Sequence, residues 1–202
     1  MRVNTPWQRL RYALWAPLYD AMVWPLRVAR RRSLDVLDLR AGERVLLVGA
    51  GTGEDLPCIP EGVFTVATDL TPAMLWRARH KARAGDHLAV MDGHSLALSS
   101  GAFDAVVLHL ILAVIPDPAA CLAETVRVLR PGGRIAIFDK FVPDGSRAAW
   151  RRRLLNRLTR PIATDITRRL DDIIRDSQAR VSRVFDEPAV GGKFRIVQLR
   201  RE

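Results

Sequence analysis

A glycine-rich run follows directly on an apolar stretch at residues 45–48, and the spacing of its glycines is typical of a ligand-binding loop. The run is Gly49-Ala50-Gly51-Thr52-Gly53. Glycine adopts positive φ without penalty and lets a ligand approach the backbone closely. The pattern therefore indicates a backbone loop that holds a small ligand.

The residues after the run separate three kinds of ligand loop. A phosphate-binding Walker loop ends in Gly-Lys-Ser/Thr, whereas Glu54 and Asp55 follow Gly53 here. A dinucleotide fingerprint needs a third glycine where Glu54 stands, and the two carboxylates would repel a pyrophosphate. The sequence argues against both, and a G-x-G-x-G loop remains.

The loop must be positioned by the strands and helices that the rest of the sequence predicts. From about residue 44, short β-branched runs alternate with helical patterns, which is typical of a parallel sheet covered by helices. Strands are predicted at 44–49, 63–69, 87–91, 103–109 and 134–139, with a hairpin of 180–185 and 193–200. Helices are predicted at 73–83, 119–129, 147–159 and 163–175. The expected fold class is α/β.

Composition predicts one folded domain over residues 1–202. The chain has 202 residues, 49% of them hydrophobic and 27% charged, which suffices for a core. Its two cysteines, Cys58 and Cys121, are too far apart for a CxxC site. No apolar run approaches the roughly 20 residues of a membrane span, and no secretory signal begins the sequence. We expect a cytoplasmic protein.

Charge is concentrated in the two flanks. The net charge is +5 in residues 1–40, −2 in 41–140 and +7 in 141–202. The first flank also holds three of the five tryptophans. Arginine beside aromatic residues favours an anionic membrane surface or a nucleic acid. The alternative is that 29 of 32 basic residues are arginine through genome composition and only solvate helix faces.

Four motifs in order resemble the class I S-adenosylmethionine-dependent methyltransferases over about residues 40–140. They are the glycine loop, Asp69 at the end of the second strand, Asp92-Gly93-His94 after the third, and Leu129-Arg130-Pro131-Gly132-Gly133-Arg134 before the fifth. The resemblance implies a Rossmann-like fold. Its sheet is mostly parallel and seven-stranded, with helices on both faces and an antiparallel C-terminal hairpin.

The resemblance also implies a cofactor site for S-adenosylmethionine. Asp69 would accept the ribose hydroxyls, and Asp92 the adenine amine. The full expected set is Gly49, Ala50, Gly51, Thr52, Gly53, Asp69, Leu70, Met74, Asp92, Gly93, His94 and His109. The sequence departs from the family at Leu47, where an acid is usual in the first strand.

The N-terminal flank resembles that of bacterial phosphatidylethanolamine N-methyltransferases and of ubiquinone/menaquinone C-methyltransferases. Tyr12 and Tyr19-Asp20 carry this likeness. It implies that residues 1–40 form a helical lid or membrane segment, 41–140 the cofactor core, and 141–202 basic helices plus the hairpin. Tyr19 and His109 are the predicted catalytic residues, with His109 or a water held by Tyr19 accepting the proton of an amine. A hydrogen-bonded core histidine is the alternative for His109.

The predicted function is N-methylation of a phospholipid headgroup by a peripheral protein on the inner face of the membrane. Asp139-Lys140 could also line the site. Substrate or lipid contacts are predicted at Tyr12, Arg11, Arg27, Arg30, Arg31, Trp150, Arg151, Arg152, Arg153 and Lys140. The alternatives are C- or O-methylation of a quinone precursor, RNA methylation, and cofactor binding without turnover. We expect no metal, and a monomer or weak dimer.

Overall fold

The computed structural model of the chain describes residues 26–141 and 168–202. Predictions that concern other positions lie outside this part of the chain. They are the lid or membrane role of residues 1–25, the helix at 147–159, the first five residues of the helix at 163–175, and the roles of Arg11, Tyr12, Tyr19, Trp150, Arg151, Arg152 and Arg153.

The described residues form a seven-stranded sheet in the order β3-β2-β1-β4-β5-β7-β6. The strands are β1 (Arg44–Val48), β2 (Phe64–Asp69), β3 (His87–Val90), β4 (Phe103–His109), β5 (Leu129–Asp139), β6 (Val181–Ala189) and β7 (Phe194–Arg201). Strands β1 to β5 pair in parallel, whereas β7 is antiparallel to both β5 and β6. The predicted fold class and C-terminal hairpin are confirmed.

Successive side chains of a strand point to opposite faces of the sheet. Because nearly all residues of the central strands are apolar, both faces are apolar, and helices cover both. The helices of the described ranges are α1 (Arg27–Asp35), α2 (Pro72–Ala78), α3 (Pro118–Val128) and α4 (Leu170–Ser177). Leu46 and Val48 of β1 join the core under α3 and α4. Val45 and Leu47 join the core on the other face, which includes residues of α1 and α2. Among the described residues, no helix is long and apolar enough to span a membrane.

Two helices begin with proline. Pro72 and Pro118 occupy the first helical positions of α2 and α3. The Asp117 carboxylate caps α3 by accepting a hydrogen bond from the Ala120 N–H at 3.0 Å, whereas Thr71 before α2 makes no side-chain capping bond. Helix α2 ends five residues earlier than predicted, at Ala78. The chain continues in hydrogen-bonded turns, such as that from the Lys81 N–H to the Ala78 carbonyl.

Candidate active site

The predicted cofactor residues converge at the carboxyl ends of the strands. Strand β1 lies between β2 and β4, so the connections from β1 and β4 leave the sheet in opposite directions. Ligands of open α/β sheets bind in the crevice at such a switch point. The glycine loop (residues 49–53) leaves β1 at this point.

Glycine is required at two positions of the glycine loop. Gly49 and Gly53 have φ of 69° and 78°, in the left-handed region that side chains disfavour. A Cβ at Gly49 would lie 2.5 Å from Cδ1 of Ile111, and one at Gly53 would lie 2.9 Å from Cβ of Ala78. The two glycines therefore allow neighbouring segments to pack directly against the loop.

Asp69 fixes the middle of the glycine loop. Its Oδ2 accepts the Gly51 N–H at 2.9 Å, and its Oδ1 accepts the Thr71 N–H at 2.8 Å. Burial raises the pKa of this carboxyl, while the backbone hydrogen bonds oppose that rise. Asp69 thus holds a carboxylate beside the loop at the end of β2, the place expected for a ribose contact. The other residues of this part, Ala50, Thr52 and Met74, are buried, and Leu70 is partly buried.

The Asp92-Gly93-His94 motif forms a fixed turn after β3. Asp92 Oδ1 accepts the His94 N–H at 3.0 Å and lies 2.6 Å from His94 Nδ1. His94 Nε2 accepts the Asp117 N–H at 3.2 Å. These partners assign the proton to Nδ1, so neutral His94 bridges the turn and the start of α3. Gly93 is buried against Ile115.

A buried polar cluster joins α1, the segment after the glycine loop and the end of β4. Arg30 donates to Asp55 through Nε at 2.9 Å and Nη2 at 2.6 Å. His109 Nδ1 lies 3.0 Å from Asp55 Oδ1, and His109 Nε2 lies 2.9 Å from Ser33 Oγ. We call Arg30, Ser33, Asp55 and His109 the α1–loop cluster. All four residues are buried.

Charge and burial decide the protonation of this cluster. Burial alone would raise the pKa of Asp55, but the Arg30 charge and the hydrogen bonds from Arg30 and His109 bring it well below its usual range. Burial lowers the pKa of His109. The ionised carboxylate accepts the Nδ1 proton of neutral His109, so Nε2 accepts from the Ser33 hydroxyl.

These contacts bear on two predicted roles. Both ring nitrogens of His109 are hydrogen-bonded inside the protein, as the alternative of a hydrogen-bonded core histidine predicts, and its catalytic and cofactor-binding roles stay predictions. Arg30 is 4% exposed and bound to Asp55, which removes it as a lipid contact. Arg27 and Arg31 of α1 remain exposed.

Three further residues lie at or near the ends of β5 and β1. Asp139 is 1% exposed, and its carboxylate accepts the Ala113 N–H at 2.9 Å and the Lys140 N–H at 2.8 Å. Burial raises its pKa to about 6. Lys140 Nζ lies 5.1 Å from the centre of the Phe194 ring. Leu47, at the position of the family's acid, is buried in the core.

Sequence reasoning missed the partners of the acidic pair after the loop. Glu54 accepts from Arg27 Nε at 3.0 Å and from Lys81 Nζ at 2.6 Å, and Asp55 pairs with Arg30. The available signal was two adjacent carboxylates next to Leu56, since charges that become buried require partners. The sequence does not select Arg27 and Arg30, because Arg40 and Arg44 lie closer along the chain.

Comparisons with known proteins agree with the fold and the motifs. The Methyltransferase domain family matches residues 46–137. A phosphatidylethanolamine N-methyltransferase of Cereibacter sphaeroides is 34% identical over 139 residues, covering 66% of this chain and 68% of that protein. A demethylmenaquinone methyltransferase of Corynebacterium efficiens is 36% identical over 118 residues, or 58% of this chain and 50% of that protein.

The fold is also shared with a SAM-dependent methyltransferase from Thermotoga maritima. That structure has a TM-score of 0.69 at 16% identity, and the match covers 95% of this chain and 99% of that one. Together with the sequence relatives, this defines the class: the chain belongs to the class I S-adenosylmethionine-dependent methyltransferases. It spans about half the length of demethylmenaquinone relatives such as the Corynebacterium protein.

The described residues fit the cofactor that this family uses. The glycine loop has space only for hydrogen at Gly49 and Gly53, and Asp69 presents its carboxylate beside Gly51. Asp69 and the loop backbone would hold S-adenosylmethionine. When bound, it supplies a methyl group that its sulfonium has already activated for transfer.

Proposed function

We propose that this methyltransferase N-methylates phosphatidylethanolamine or a related phospholipid headgroup at an anionic membrane surface. One observation carries the proposal. The relative named phosphatidylethanolamine N-methyltransferase is matched over 68% of its length, against 50% and 61% for the demethylmenaquinone methyltransferases of Corynebacterium efficiens and Thermus thermophilus. A match of this extent includes residues beyond the shared cofactor core.

Exposed residues of α1 support the membrane part of the proposal. The side chains of Arg27 and Arg31 are 56% and 63% exposed, and Val28 between them is 83% exposed. Arg27 Nε also reaches Glu54, next to the glycine loop. Each arginine near an anionic surface contributes about 1 kcal/mol. These contacts would therefore bring the cofactor end of the sheet towards the lipid.

The chain's own contribution to the reaction is alignment and exclusion of water. The glycine loop and Asp69 fix one end of the site, and Asp139 fixes the segment after β4 through Ala113. An amine must lose a proton before it accepts a methyl group. Because His109 is engaged with Asp55 and Ser33, we assign proton removal to water ordered by Tyr19.

Methylation of a quinone precursor is the second candidate. Demethylmenaquinone methyltransferases from two Corynebacterium strains are 36% and 38% identical to this chain, slightly above the 34% of the phospholipid relative. This candidate requires the same cofactor site and also acts on a lipophilic molecule. It does not account for the exposed arginines of α1, because a quinone carries no phosphate for them to bind.

The test is transfer of radiolabel from S-adenosylmethionine to lipid. Purified protein is incubated with vesicles of phosphatidylcholine that contain phosphatidylethanolamine or demethylmenaquinone, each with and without phosphatidylglycerol. We expect label in phosphatidylethanolamine, increasing with phosphatidylglycerol. Label in the quinone alone would favour the second candidate. Label in neither lipid, when calorimetry shows that the cofactor binds, would contradict both.

A further inference from the structure

The α1–loop cluster has no assigned part in methyl transfer, yet it is a buried polar assembly next to the glycine loop. Arg30 and Ser33 come from α1, Asp55 follows the loop, and His109 ends β4. Their exposed fractions are 4%, 0%, 2% and 4%. A buried polar assembly joined by four hydrogen bonds restricts the elements that it connects.

The glycine loop needs such support because it has little regular structure of its own. Three of its five residues are glycines at positive φ, and glycine loses the most conformational freedom on folding. In most of the connection to β2 the backbone forms turns, with a single 3-10 turn at Leu56–Cys58. The shape of the loop must therefore be fixed by contacts from elsewhere.

Those contacts differ between the two halves of the loop. The first half is held from β2, where Asp69 accepts the Gly51 N–H and the Thr68 carbonyl accepts the Ala50 N–H. The second half leads into Glu54 and Asp55, whose partners include Arg27 and Arg30 of α1. Because an ionised buried carboxylate requires its partner, the position of Asp55 depends on that of α1.

We propose that Arg30, Asp55 and His109 are positioning residues that couple α1 to the glycine loop and hold the loop in its cofactor-binding shape before the cofactor arrives. Asp55 is the junction, since it accepts from both Arg30 and His109. Ser33 completes the cluster by fixing the far nitrogen of His109. The inference rests on the family's cofactor and is independent of the phospholipid substrate.

Hydrogen exchange of the cofactor-free protein tests the coupling directly. In Arg30→Met, we expect the amides of residues 49–55 to exchange at least about tenfold faster. The substitution removes the Arg30–Asp55 ion pair, and such a pair is stronger than a neutral hydrogen bond. Arg30→Lys keeps the charge but not the two-bond geometry, so its effect should be intermediate. Ser33→Ala, a mild change that leaves the ion pair intact, should give a smaller increase of about threefold.

Arg127→Met is the matched control. Arg127 also bonds its neighbours through several nitrogens, but at the other end of the sheet, where it donates to the Leu96 and Leu98 carbonyls. In this variant the exchange rates of the amides of residues 49–55 should equal those of the unmodified protein, when each protein is measured the same number of degrees below its own melting temperature. Unchanged loop exchange in Ser33→Ala and Arg30→Lys, or an equal increase in Arg127→Met, would overturn the proposal.

Calorimetry with S-adenosylmethionine provides the second readout. We expect the Kd to rise at least about tenfold in Arg30→Met and to stay within about twofold in Arg127→Met, since a less ordered loop must be ordered on binding. An unchanged Kd in folded Arg30→Met would overturn the proposal. Failure of the unmodified protein to bind would contradict the cofactor assignment instead, and the exchange experiment would still decide the coupling.

Discussion

Arginines link neighbouring segments at both ends of the sheet, and the two ends differ in burial. At the carboxyl end, Arg30 bonds the Asp55 carboxylate, and both side chains are at most 5% exposed. At the amino end, Arg127 donates to the Glu124 carboxylate at 2.7 Å and to the Leu96 carbonyl at 2.8 Å, and Arg201 donates to the Val126 carbonyl at 2.8 Å. The side chain of Arg127 is 35% exposed.

The two ends also differ in what remains when one member of an arginine contact is removed by mutation. At the amino end, the Glu124 carboxylate and the carbonyls that Arg127 leaves would regain water, because the side chains there are partly exposed. At the carboxyl end, a full charge would stay buried without its counterion. The arginines of the amino end therefore add stability in small amounts, whereas Arg30 and Asp55 must form together or not at all.

The largest expected effect is at Asp55. Asp55→Leu leaves the Arg30 charge buried and should lower the free energy of unfolding by about 4 kcal/mol. The double variant Arg30→Met/Asp55→Leu should be more stable than Asp55→Leu, because no charge is then buried. Urea unfolding of four proteins measures this: the unmodified protein, Arg30→Met, Asp55→Leu and the double variant. A double variant that is less stable than both single variants would contradict the contrast between the two ends.

Asp139 provides a pH-dependent effect at the same end. Its folded pKa of about 6 exceeds that of an unfolded Asp, about 3.9. Between these values the native carboxyl keeps a proton that the unfolded chain releases, so the free energy of unfolding falls as pH rises from about 4 to 6. The shift corresponds to roughly 3 kcal/mol.

Asp139→Asn removes this titration. In urea unfolding from pH 4 to 7, the free energy of unfolding of the unmodified protein should fall by up to about 3 kcal/mol relative to that of the variant as pH rises. Two parallel curves would show that Asp139 is ionised throughout this range. The carboxylate's bonds to Ala113 and Lys140 would then outweigh its burial.

A smaller loss is expected at the amino end. Arg127→Met removes hydrogen bonds to the Leu96 and Leu98 carbonyls and to Glu124, and should cost about 2 kcal/mol. Thermal unfolding measures it. A loss as large as that of Asp55→Leu would remove the contrast between buried and half-exposed arginines.

The smallest effect concerns α1's outer surface. Arg31→Gln should weaken binding to phosphatidylglycerol vesicles about fivefold, the equivalent of about 1 kcal/mol. Arg175→Gln is the control, because Arg175 is 68% exposed on α4, which packs on the opposite face of the sheet. Vesicle sedimentation compares them. Equal weakening by both variants would indicate attraction by net charge rather than by the α1 surface.

The strands and the helix starts could be predicted because local sequence patterns define them. The strands carry continuous apolar runs, and the starts of α2 and α3 follow a capping residue and proline, so neighbours in sequence sufficed. The predicted end of α2 was wrong because residues 79–83 are basic residues and one alanine, a composition that suits a helix and successive turns equally. Helix ends depend on the contacts made by the last turn.

The site was predictable where backbone shape defines it. The spacing of Gly49, Gly51 and Gly53 and the position of Asp69 after β2 indicated the loop and its carboxylate. The partnership of Arg30 with Asp55 spans 25 residues, and that of Ser33 with His109 spans 76. No local pattern encodes such pairs, because they depend on how α1 lies across the finished sheet.

The place of β7 affects the order in which the sheet can be completed during synthesis. Strand β7 follows β6 in the chain but lies between β5 and β6. While the ribosome is still making β7, the side of β5 away from β4 has no strand beside it, and β6 has no place to pair. An open strand edge can recruit other chains. The nascent protein is therefore exposed to aggregation until β7 emerges and inserts.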